Sequence, residues 1–253
     1  MAAKTLGIRF WAGLFILLAP VVIGCAAVPR PYTGPPSLGL SGRETLLAYL
    51  ASRPAAIKLK HQVEMRFMNE TRVVEGYCVL ARPGGFWARA SVPLGVTLFE
   101  VKGADDGSVE VTTPIAKVEE ARAPLYLARD IRRIYVTDCD SSASAVPVRA
   151  GFRVSCALPP RAPPATAEDG IEPDDDAVLE ILSPGGVILE KQFFRDSSIT
   201  ATIVYEAYRL VDATWVPARI SLEGRSIDYG LTIHLVEADP NFDVTRIFTA
   251  PAR

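Results

Sequence analysis

The chain has 253 residues, enough for one large domain or two small ones. Its formal net charge of −2 and its pI near 5.8 exclude the strongly basic surface that is typical of nucleic-acid-binding proteins. Its mean hydropathy of +0.20 is raised in part by one apolar run near the start, and no later run is long enough to span a membrane.

The start of the chain has the three-part pattern of a secretory signal. Lys4 and Arg9 supply positive charge, and an apolar stretch follows over residues 10–23. A membrane-spanning helix needs roughly 20 apolar residues, whereas this stretch is shorter and contains Pro20. The pattern therefore predicts a signal peptide over residues 1–24, with a retained membrane anchor as the alternative.

The apolar stretch ends in Val22-Ile23-Gly24-Cys25, which resembles the lipobox of bacterial lipoproteins. The resemblance implies that Cys25 carries a diacylglycerol thioether and becomes the acylated N-terminus. Two acyl chains hold a protein stably on a bilayer. Ala26 is not the aspartate that resembles an inner-membrane retention signal, so we expect a lipid-anchored protein on the periplasmic face of the outer membrane. Ordinary secretion is the alternative.

Pro and Gly are frequent after the lipobox, which predicts a flexible, extended tether over residues 25–40. Ser41 and Glu44 then form a capping-box pattern, with Ser at the N-cap and Glu three residues later. The helix that follows must end before Pro54. Its predicted apolar face consists of Leu46, Leu47, Leu50 and Ala51.

The clearest periodic signal runs from Ile57 to Phe67. Apolar residues alternate there with charged or polar ones, which predicts a long antiparallel strand with one face in water. Turn residues then separate further strand patterns, so we expect a meander of five strands. The other four strands are predicted over residues 72–82, 86–91, 96–103 and 108–113.

An amphipathic helix is predicted over residues 117–135, where apolar residues recur every three or four positions. Pro124 should kink this helix or divide it in two, and Arg132 and Arg133 are expected to face water on its polar side. The Pro-, Ala- and acid-rich segment 159–176 is typical of a mobile loop. The remaining strands are predicted over residues 151–158, 177–182, 187–195, 198–210, 215–223 and 227–237.

These elements predict a mainly β fold with a few helices, in a single domain over residues 41–253. About eleven consecutive strands should form one curled antiparallel sheet, an unclosed β-barrel whose concave face is lidded by the helices. Strand alternation alone leaves open whether this apolar face encloses a lipid cavity or a filled core.

Three cysteines follow Cys25. An exported chain enters an oxidising compartment, where a disulfide between Cys139 and Cys156 would close a loop of about 17 residues and stabilise the fold by roughly 3 kcal/mol. Cys78 then remains, and its apolar strand pattern predicts a buried free thiol. None of the three forms a Cys-x-x-Cys pair, so zinc binding and thioredoxin-like redox chemistry are not expected.

Enzymatic motifs are nearly absent from the sequence. The two histidines, His61 and His234, lack metal-ligand spacing and are expected in the core or in a cavity wall. The sequence contains neither a Gly-x-Ser-x-Gly nucleophile motif nor a phosphate-binding glycine loop. Asp138, Asp140 and the run 174–176 fit solvated turns better than a calcium site. We therefore expect a protein that is not an enzyme and that has no metal and no cofactor.

Several segments resemble a known family. Residues 89–101, with Pro93-Leu94-Gly95 at their centre, resemble the strand–turn–strand element of the LolB outer-membrane lipoprotein receptors. Residues 205–220 and 242–248 resemble the closing strands of the wider LolA/LolB-like superfamily. The resemblance implies an unclosed antiparallel barrel whose hydrophobic cavity, lidded by helices, holds the acyl chains of a lipoprotein.

The resemblance also implies a role for Leu94. By its position in the turn, Leu94 matches an exposed apolar residue that enters the target membrane in this family. Pro93 and Gly95 would present it on a rigid turn. The alternative is that Leu94 folds back on the core.

On this basis we expect an outer-membrane lipoprotein that binds acyl chains and accepts or inserts lipoproteins, or another lipid. The cargo would be an acylated lipoprotein or a phospholipid, and a periplasmic carrier protein could be its donor. The alternative is a structural lipoprotein that docks on an envelope complex through a strand edge and carries no lipid. Of the neighbours Leu98 and Phe99, only one can face inward. Candidate cavity-lining residues are Ile57, Leu59, Val63, Met65, Phe86, Leu98, Phe99 and Val101.

Overall fold

The structure of the protein is a computed structural model in which most of the chain beyond the predicted tether is described. The predicted signal peptide, Cys25 and Leu94 lie outside the described residues, as does most of the predicted loop 159–176. The described residues are 34–67, 70–92, 95–106, 108–113, 123–136, 138–158, 175–224 and 229–248.

Helices take up a small part of the described chain. α1 spans Gly42–Ser52, and α2 spans Ala123–Ile131 and continues as a π-helical turn, Arg132–Val136. A short helix, α3, spans Thr245–Phe248. Pro124 lies in the first turn of α2, where its missing N–H leaves no intrahelical bond unmade. The described part of the predicted helix therefore has no proline kink.

Twelve antiparallel strands form one continuous sheet in the described residues. The strands are β1 (Ala56–Phe67), β2 (Glu70–Ala81), β3 (Gly85–Ser91), β4 (Thr97–Gly103), β5 (Val109–Thr112), β6 (Ser144–Val148), β7 (Gly151–Ala157), β8 (Ala177–Leu182), β9 (Ile188–Arg195), β10 (Ser198–Val211), β11 (Thr214–Gly224) and β12 (Tyr229–Asp239). Their order across the sheet is β5-β4-β3-β2-β1-β12-β11-β10-β9-β8-β7-β6.

Neighbouring strands in this sheet are consecutive in sequence, except that β1 pairs with β12. β5 and β6 each pair on one side only, so they are the edges of the sheet and the barrel is not closed. The chain passes from β5 at one edge to β6 at the other, and α2 lies in this crossover. The predicted mainly β, antiparallel, unclosed fold is confirmed.

The strand that sequence analysis did not predict is β6. It contains Pro147, and a proline inside a short apolar run argues against a strand. β6 is an edge strand that pairs only with β7. A proline is tolerated at an edge because no further strand requires its missing N–H as a donor.

The buried apolar side chains form two clusters on the inner face of the sheet, which is the face that α2 covers. One cluster lies mainly on β7 to β12 and includes Ile134, and the other lies mainly on β1 to β4 and includes Ala128 and Ile131. Tyr135 packs against both clusters. The crossover thus fills the space between the two halves of the sheet.

The start and end of α1 agree with the sequence. The Ser41 hydroxyl accepts a hydrogen bond from the Glu44 N–H, and the Glu44 carboxylate accepts one from the Ser41 N–H at 2.9 Å. This reciprocal pair is the predicted capping box. The helix ends at Ser52, ahead of Pro54.

The predicted apolar face of α1 is wrong in part. Leu46 is fully buried, but Leu47 is 42% exposed and Ala51 is exposed. The helix turns its Leu46, Tyr49 and Leu50 side toward the core. Tyr49, which the predicted apolar face did not include, therefore packs against the core.

The two arginines of the π-helical turn are buried, contrary to the expectation that they face water. The Arg132 guanidinium donates to the carbonyl oxygens of Ala104 and Ser108 at 3.1 and 3.0 Å. The Arg133 guanidinium makes two hydrogen bonds, of 2.8 and 2.7 Å, to the carboxylate of Asp175. Asp175 is therefore also buried, which corrects its assignment to a solvated turn.

The described end of the predicted tether is attached to the sheet. The Leu38 N–H donates to the Pro184 carbonyl oxygen at 3.0 Å. Gly185 lies so close to this segment that a Cβ atom there would be 2.3 Å from the Pro35 carbonyl oxygen. Residues 35–38 therefore pack against the turn between β8 and β9.

Cys139 and Cys156 are joined by a disulfide bond. The bond connects the segment after the π-helical turn to β7, so it fixes the end of the crossover to the far half of the sheet. Cys78 is the free, buried thiol that was expected, and burial raises its pKa to about 12.

Replacing both Cys139 and Cys156 by Ala should lower the free energy of unfolding by roughly 3 kcal/mol, because the unfolded chain loses a 17-residue loop constraint. Denaturant unfolding under non-reducing conditions measures this loss. A Cys78→Ala variant, which leaves the disulfide intact, should lose less. Equal stability of the double variant and the parent protein would contradict the prediction.

Candidate functional site

A cavity of about 370 Å³, called the larger cavity below, lies at one end of the inner face. Its volume falls within the range of small-molecule sites in proteins, which is roughly 300–1,000 Å³. α1, the π-helical turn and the ends of several strands surround it. Its apolar and aromatic wall includes Ile57, Leu59, Leu80, Ile134, Val187, Tyr205, Tyr208, Trp215 and Val216.

Two tyrosines fix the far wall of the larger cavity. The Tyr205 hydroxyl donates to the Ile134 carbonyl oxygen at 2.6 Å, and the Tyr208 hydroxyl donates to the Ile188 carbonyl oxygen. Carbonyl groups in the π-helical turn and at the start of β9 are thereby satisfied inside the protein. Both phenol rings can then present their apolar edges to the cavity.

Arg53 and Arg82 are the only charged residues in the described lining of the larger cavity. Arg53 follows the last residue of α1, and Arg82 follows the last residue of β2. The Arg82 guanidinium donates to the Leu50 carbonyl oxygen at 3.2 Å, at the end of α1. The cavity therefore has an apolar interior and positive charge on one side.

Arg53 belongs to a cluster of four charges whose other three members are buried. Arg53 forms an ion pair with Asp138, and the Lys191 ammonium lies 2.5 Å from the same carboxylate and 3.6 Å from the carboxylate of Glu180. The Tyr49 hydroxyl also donates to Asp138 at 3.3 Å. The cluster connects α1 and the segment after the π-helical turn to β8 and β9, so it holds two cavity walls against the sheet.

Burial has the largest effect on the pKa values of the carboxylate and the ammonium group in this cluster. It raises the pKa of Glu180 and lowers the pKa of Lys191, and in each case the opposite charge of the partner opposes the shift. Buried charges of this kind are tolerated only when they are paired. Loss of one partner would leave the other charged and desolvated.

A second, smaller cavity of about 60 Å³ lies further along the inner face. Its wall includes Val63, Met65, Phe99 and Leu127. Ile134 and Tyr135 line both cavities, so the π-helical turn forms the partition between them.

His61 and Tyr135 meet at this partition. The Tyr135 oxygen lies 3.0 Å from Nε2 of His61, and the two rings stack with their centroids 5.7 Å apart. Burial lowers the pKa of His61 to about 4, so the imidazole is neutral at physiological pH. The expectation that His61 is a cavity-wall histidine agrees with this position.

The residues predicted to line a cavity lie in three places. Ile57 and Leu59 line the larger cavity, whereas Val63, Met65 and Phe99 line the smaller one. Of the neighbours on β4, Phe99 faces inward and Leu98 is only partly buried. Three predicted residues belong to the wall of neither cavity: Phe86 and Val101, which are fully buried in the core, and Leu98.

Val92 and Gly95, the described residues on either side of positions 93–94, lie at the opposite end of the sheet from the larger cavity. The turn at residues 82–84 borders that cavity, and β3 carries the chain from there to Val92. Val92 and Val96 are joined by an N–H to carbonyl bond of 3.1 Å, and Gly95 has a positive φ of 82°. Val96 is 55% exposed. Leu94 itself lies outside the described residues.

Two further residues differ from the sequence-based expectations. Asp138 is buried in ion pairs, not solvated. His234 is half-buried because its neighbours Ile233 and Leu235 occupy the inward positions of β12. Among the described residues, no group of three or more His, Cys, Asp or Glu side chains could hold a metal ion. No helix in that part of the chain is long and apolar enough to cross a membrane.

Sequence analysis missed the charged part of the site. Glu180 and Lys191 lie directly opposite each other on β8 and β9. One signal was available: Val178, Glu180 and Leu182 share one face of β8, so alternation places a carboxylate at an inward position. An inward charge requires a partner of opposite sign. No comparable signal identifies Arg53 or Arg82, because both follow the ends of their elements.

The stability of the protein should decline with acid in a way that depends on His61. The folded-state pKa of about 4 lies below the usual 6.5, so the unfolded chain takes up the proton first. His61 makes its full contribution to the free energy of unfolding above pH 6.5. This contribution decreases as the pH falls toward about 4, by about 3 kcal/mol at most.

Denaturant unfolding across this pH range, compared with a His61→Gln variant, measures the effect. Gln should retain a hydrogen bond to Tyr135 but cannot titrate, so the variant should lose less stability in acid. His234→Gln, at the half-buried histidine, is the control and should behave as the parent does. If the free energies of unfolding of the parent and of His61→Gln change with pH in parallel, His61 does not cause the loss of stability in acid.

The fold has solved counterparts, although no protein-family model and no curated protein sequence matches the chain. A LolA superfamily protein from Nitrosomonas europaea aligns with a TM-score of 0.56 at 9% identity, over 83% of this chain and 98% of that one. A putative outer membrane lipoprotein-sorting protein domain from Vibrio parahaemolyticus aligns with a TM-score of 0.50 at 9% identity, over 82% and 96%. A DUF1329 family protein from Desulfovibrio piger aligns with a TM-score of 0.51 at 6% identity, over 81% and 94%. At these identities the likeness shows the fold alone: the chain has an open antiparallel sheet like those of these three structures.

Proposed function

We propose that the protein is an outer-membrane lipoprotein, anchored through Cys25, that binds an acyl chain in the larger cavity and accepts or inserts lipid-bearing cargo at that membrane. The observation that carries this proposal is the apolar cavity of about 370 Å³ between α1, the π-helical turn and the sheet. A filled core would leave no such space.

The lining of the cavity supports a hydrocarbon ligand. Ile57 and Leu59 are nearly inaccessible to solvent, and Tyr205 and Val216 are also buried. Removing an acyl chain from water contributes roughly 25 cal/mol for each Å² of apolar surface buried. The cargo would be an acylated lipoprotein or a phospholipid, and a periplasmic carrier protein would deliver it.

The fold gives independent support. One solved counterpart is described as a putative outer membrane lipoprotein-sorting protein domain, and the lipobox-like sequence of this chain ends in Cys25. A lipid anchor would keep the cavity within reach of the membrane in which the cargo is placed.

Docking on an envelope complex through a strand edge, without lipid cargo, is the alternative. The two edge strands are poorly suited to it, since β5 has four residues and β6 contains Pro147. Short strands and prolines are features that protect an edge from pairing with another chain.

Native mass spectrometry of the full chain carrying Cys25→Ser, which cannot be acylated there, should detect co-purified lipid. An Ala48→Trp variant should bind several-fold less, because Ala48 lines the larger cavity and an indole would occupy it. Ala51→Trp, at an exposed position of the same helix, is the matched control. If no lipid binds to the parent, even on titration with lipoprotein or phospholipid, the carrier function fails and the docking alternative is favoured.

We also propose that Leu94 enters the target membrane. Val96, two residues further along the chain, is an exposed apolar residue, which supports a membrane-facing surface. Leu94→Glu should slow transfer of a labelled lipoprotein to phosphatidylethanolamine–phosphatidylglycerol vesicles several-fold, because a carboxylate opposes entry into the bilayer.

Leu210→Glu provides the control, since Leu210 is 58% exposed and lies on β10 at the other end of the sheet. It should transfer cargo at the parent rate. Unchanged transfer by Leu94→Glu would remove the proposed role of this residue without affecting the role of the cavity.

A further inference from the structure

The larger cavity combines an apolar interior with two cations at its solvent side. Ile57 and Leu59 are 8% and 2% exposed. The Arg53 side chain, by contrast, is 23% exposed and Arg82 is exposed. A ligand whose hydrocarbon part lies inside would therefore place its polar end beside the two guanidinium groups.

The charges around the cavity do not balance. Arg53 and Lys191 are positive and are matched by the two carboxylates of Asp138 and Glu180. No carboxylate in the described part of the chain pairs with Arg82. Burial, and to a smaller extent the like charge of Arg53, lowers the pKa of Arg82 to about 10, so Arg82 is still protonated at neutral pH. The site retains one unmatched positive charge.

The size of the cavity limits the hydrocarbon that it can hold. One water occupies roughly 30 Å³ of the liquid, and a methylene group is of comparable size. A volume of about 370 Å³ therefore accommodates at least on the order of a dozen methylenes. That is enough for one acyl chain of moderate length.

We propose that the preferred occupant is a single-chain amphiphile with an anionic head, a carboxylate or a phosphate. Its chain lies against Ile57 and Leu59, and its head accepts hydrogen bonds from Arg82 and from the exposed side of Arg53. The guanidinium group suits this role because its planar donors bind carboxylate and phosphate oxygens in pairs. The inference rests on the proposed lipid-binding function and specifies its ligand.

Competition with the neutral dye N-phenylnaphthylamine, bound to the full chain carrying Cys25→Ser, tests the proposal. The competitors are dodecanoate, dodecyl phosphate and dodecanol, which share one chain and differ in the head. At mildly alkaline pH and low salt, at least one anionic compound should bind about tenfold more tightly than dodecanol. The tighter of the two anions identifies the head that the arginines prefer.

Variants at Arg82 test whether this residue causes the preference for an anionic head. Arg82→Gln should weaken binding of the anionic compound about tenfold and leave dodecanol binding unchanged, whereas Arg82→Lys should keep much of the preference. Arg72→Gln removes an exposed arginine of β2 outside the cavity wall and is the matched control. Thermal unfolding of each variant checks that the fold is intact, and Arg82, being exposed, is expected to tolerate replacement.

The results distinguish a failure of the headgroup inference from a failure of the proposed lipid-binding function. Equal binding of dodecanol and both anions, or an anionic preference that Arg82→Gln leaves unchanged, would overturn the headgroup inference and leave the lipid cavity in place. Failure of all three compounds to bind would instead refute the proposed function. Inorganic phosphate should not compete with dodecyl phosphate. Complete competition would overturn the proposal that the occupant is an amphiphile, because the arginines would then bind the free anion.

Discussion

The crossover from β5 to β6 must run along the inner face of the sheet, and its polar groups must find partners there. The π-helical turn both donates hydrogen bonds to neighbouring segments and accepts a hydrogen bond from the sheet. Arg132 bonds to the turn between β4 and β5, and Arg133 bonds to Asp175 just before β8. The Tyr205 hydroxyl satisfies a carbonyl oxygen of the turn itself. These bonds fix the crossover between the two halves of the sheet, so it separates two apolar clusters and leaves cavities on either side.

The ionic cluster fixes the relative positions of structural elements more than it stabilises the fold. Its members are Arg53, Asp138, Lys191 and Glu180. Desolvating two ion pairs costs about as much as their attraction returns, so apolar residues of similar volume could fill the same space. The cluster instead gives α1 and the segment after the π-helical turn defined neighbours on β8 and β9. A cavity between these elements keeps its shape only if they cannot collapse onto each other. Paired charges provide that restraint because removing either partner is so unfavourable.

Local patterns were sufficient to predict the sheet but not the site. The alternation of β1 and the capping box at Ser41 are read from neighbouring residues, and both agree with the structure. β6 escaped prediction because Pro147 is acceptable only at an edge, and edge position is a property of the whole sheet. Arg132 and Arg133 look like solvent-facing residues in the sequence, but the carbonyl groups of Ala104 and Ser108 accept hydrogen bonds from Arg132, and Asp175 accepts them from Arg133. The cavity depends on such distant partners, so no short motif could indicate it.

The stacked pair of His61 and Tyr135 has a consequence for selectivity. The partition that it completes sets the depth of the larger cavity, since Tyr135 lines the cavities on both sides. If the cavity binds a hydrocarbon as proposed, a chain that enters beside the two arginines can extend only as far as this partition. A chain that fits would stop at the phenol ring of Tyr135, and a longer one would have to leave carbon atoms in water or displace a buried, hydrogen-bonded side chain. Length discrimination would then be a property of one aromatic contact on the inner face of the sheet.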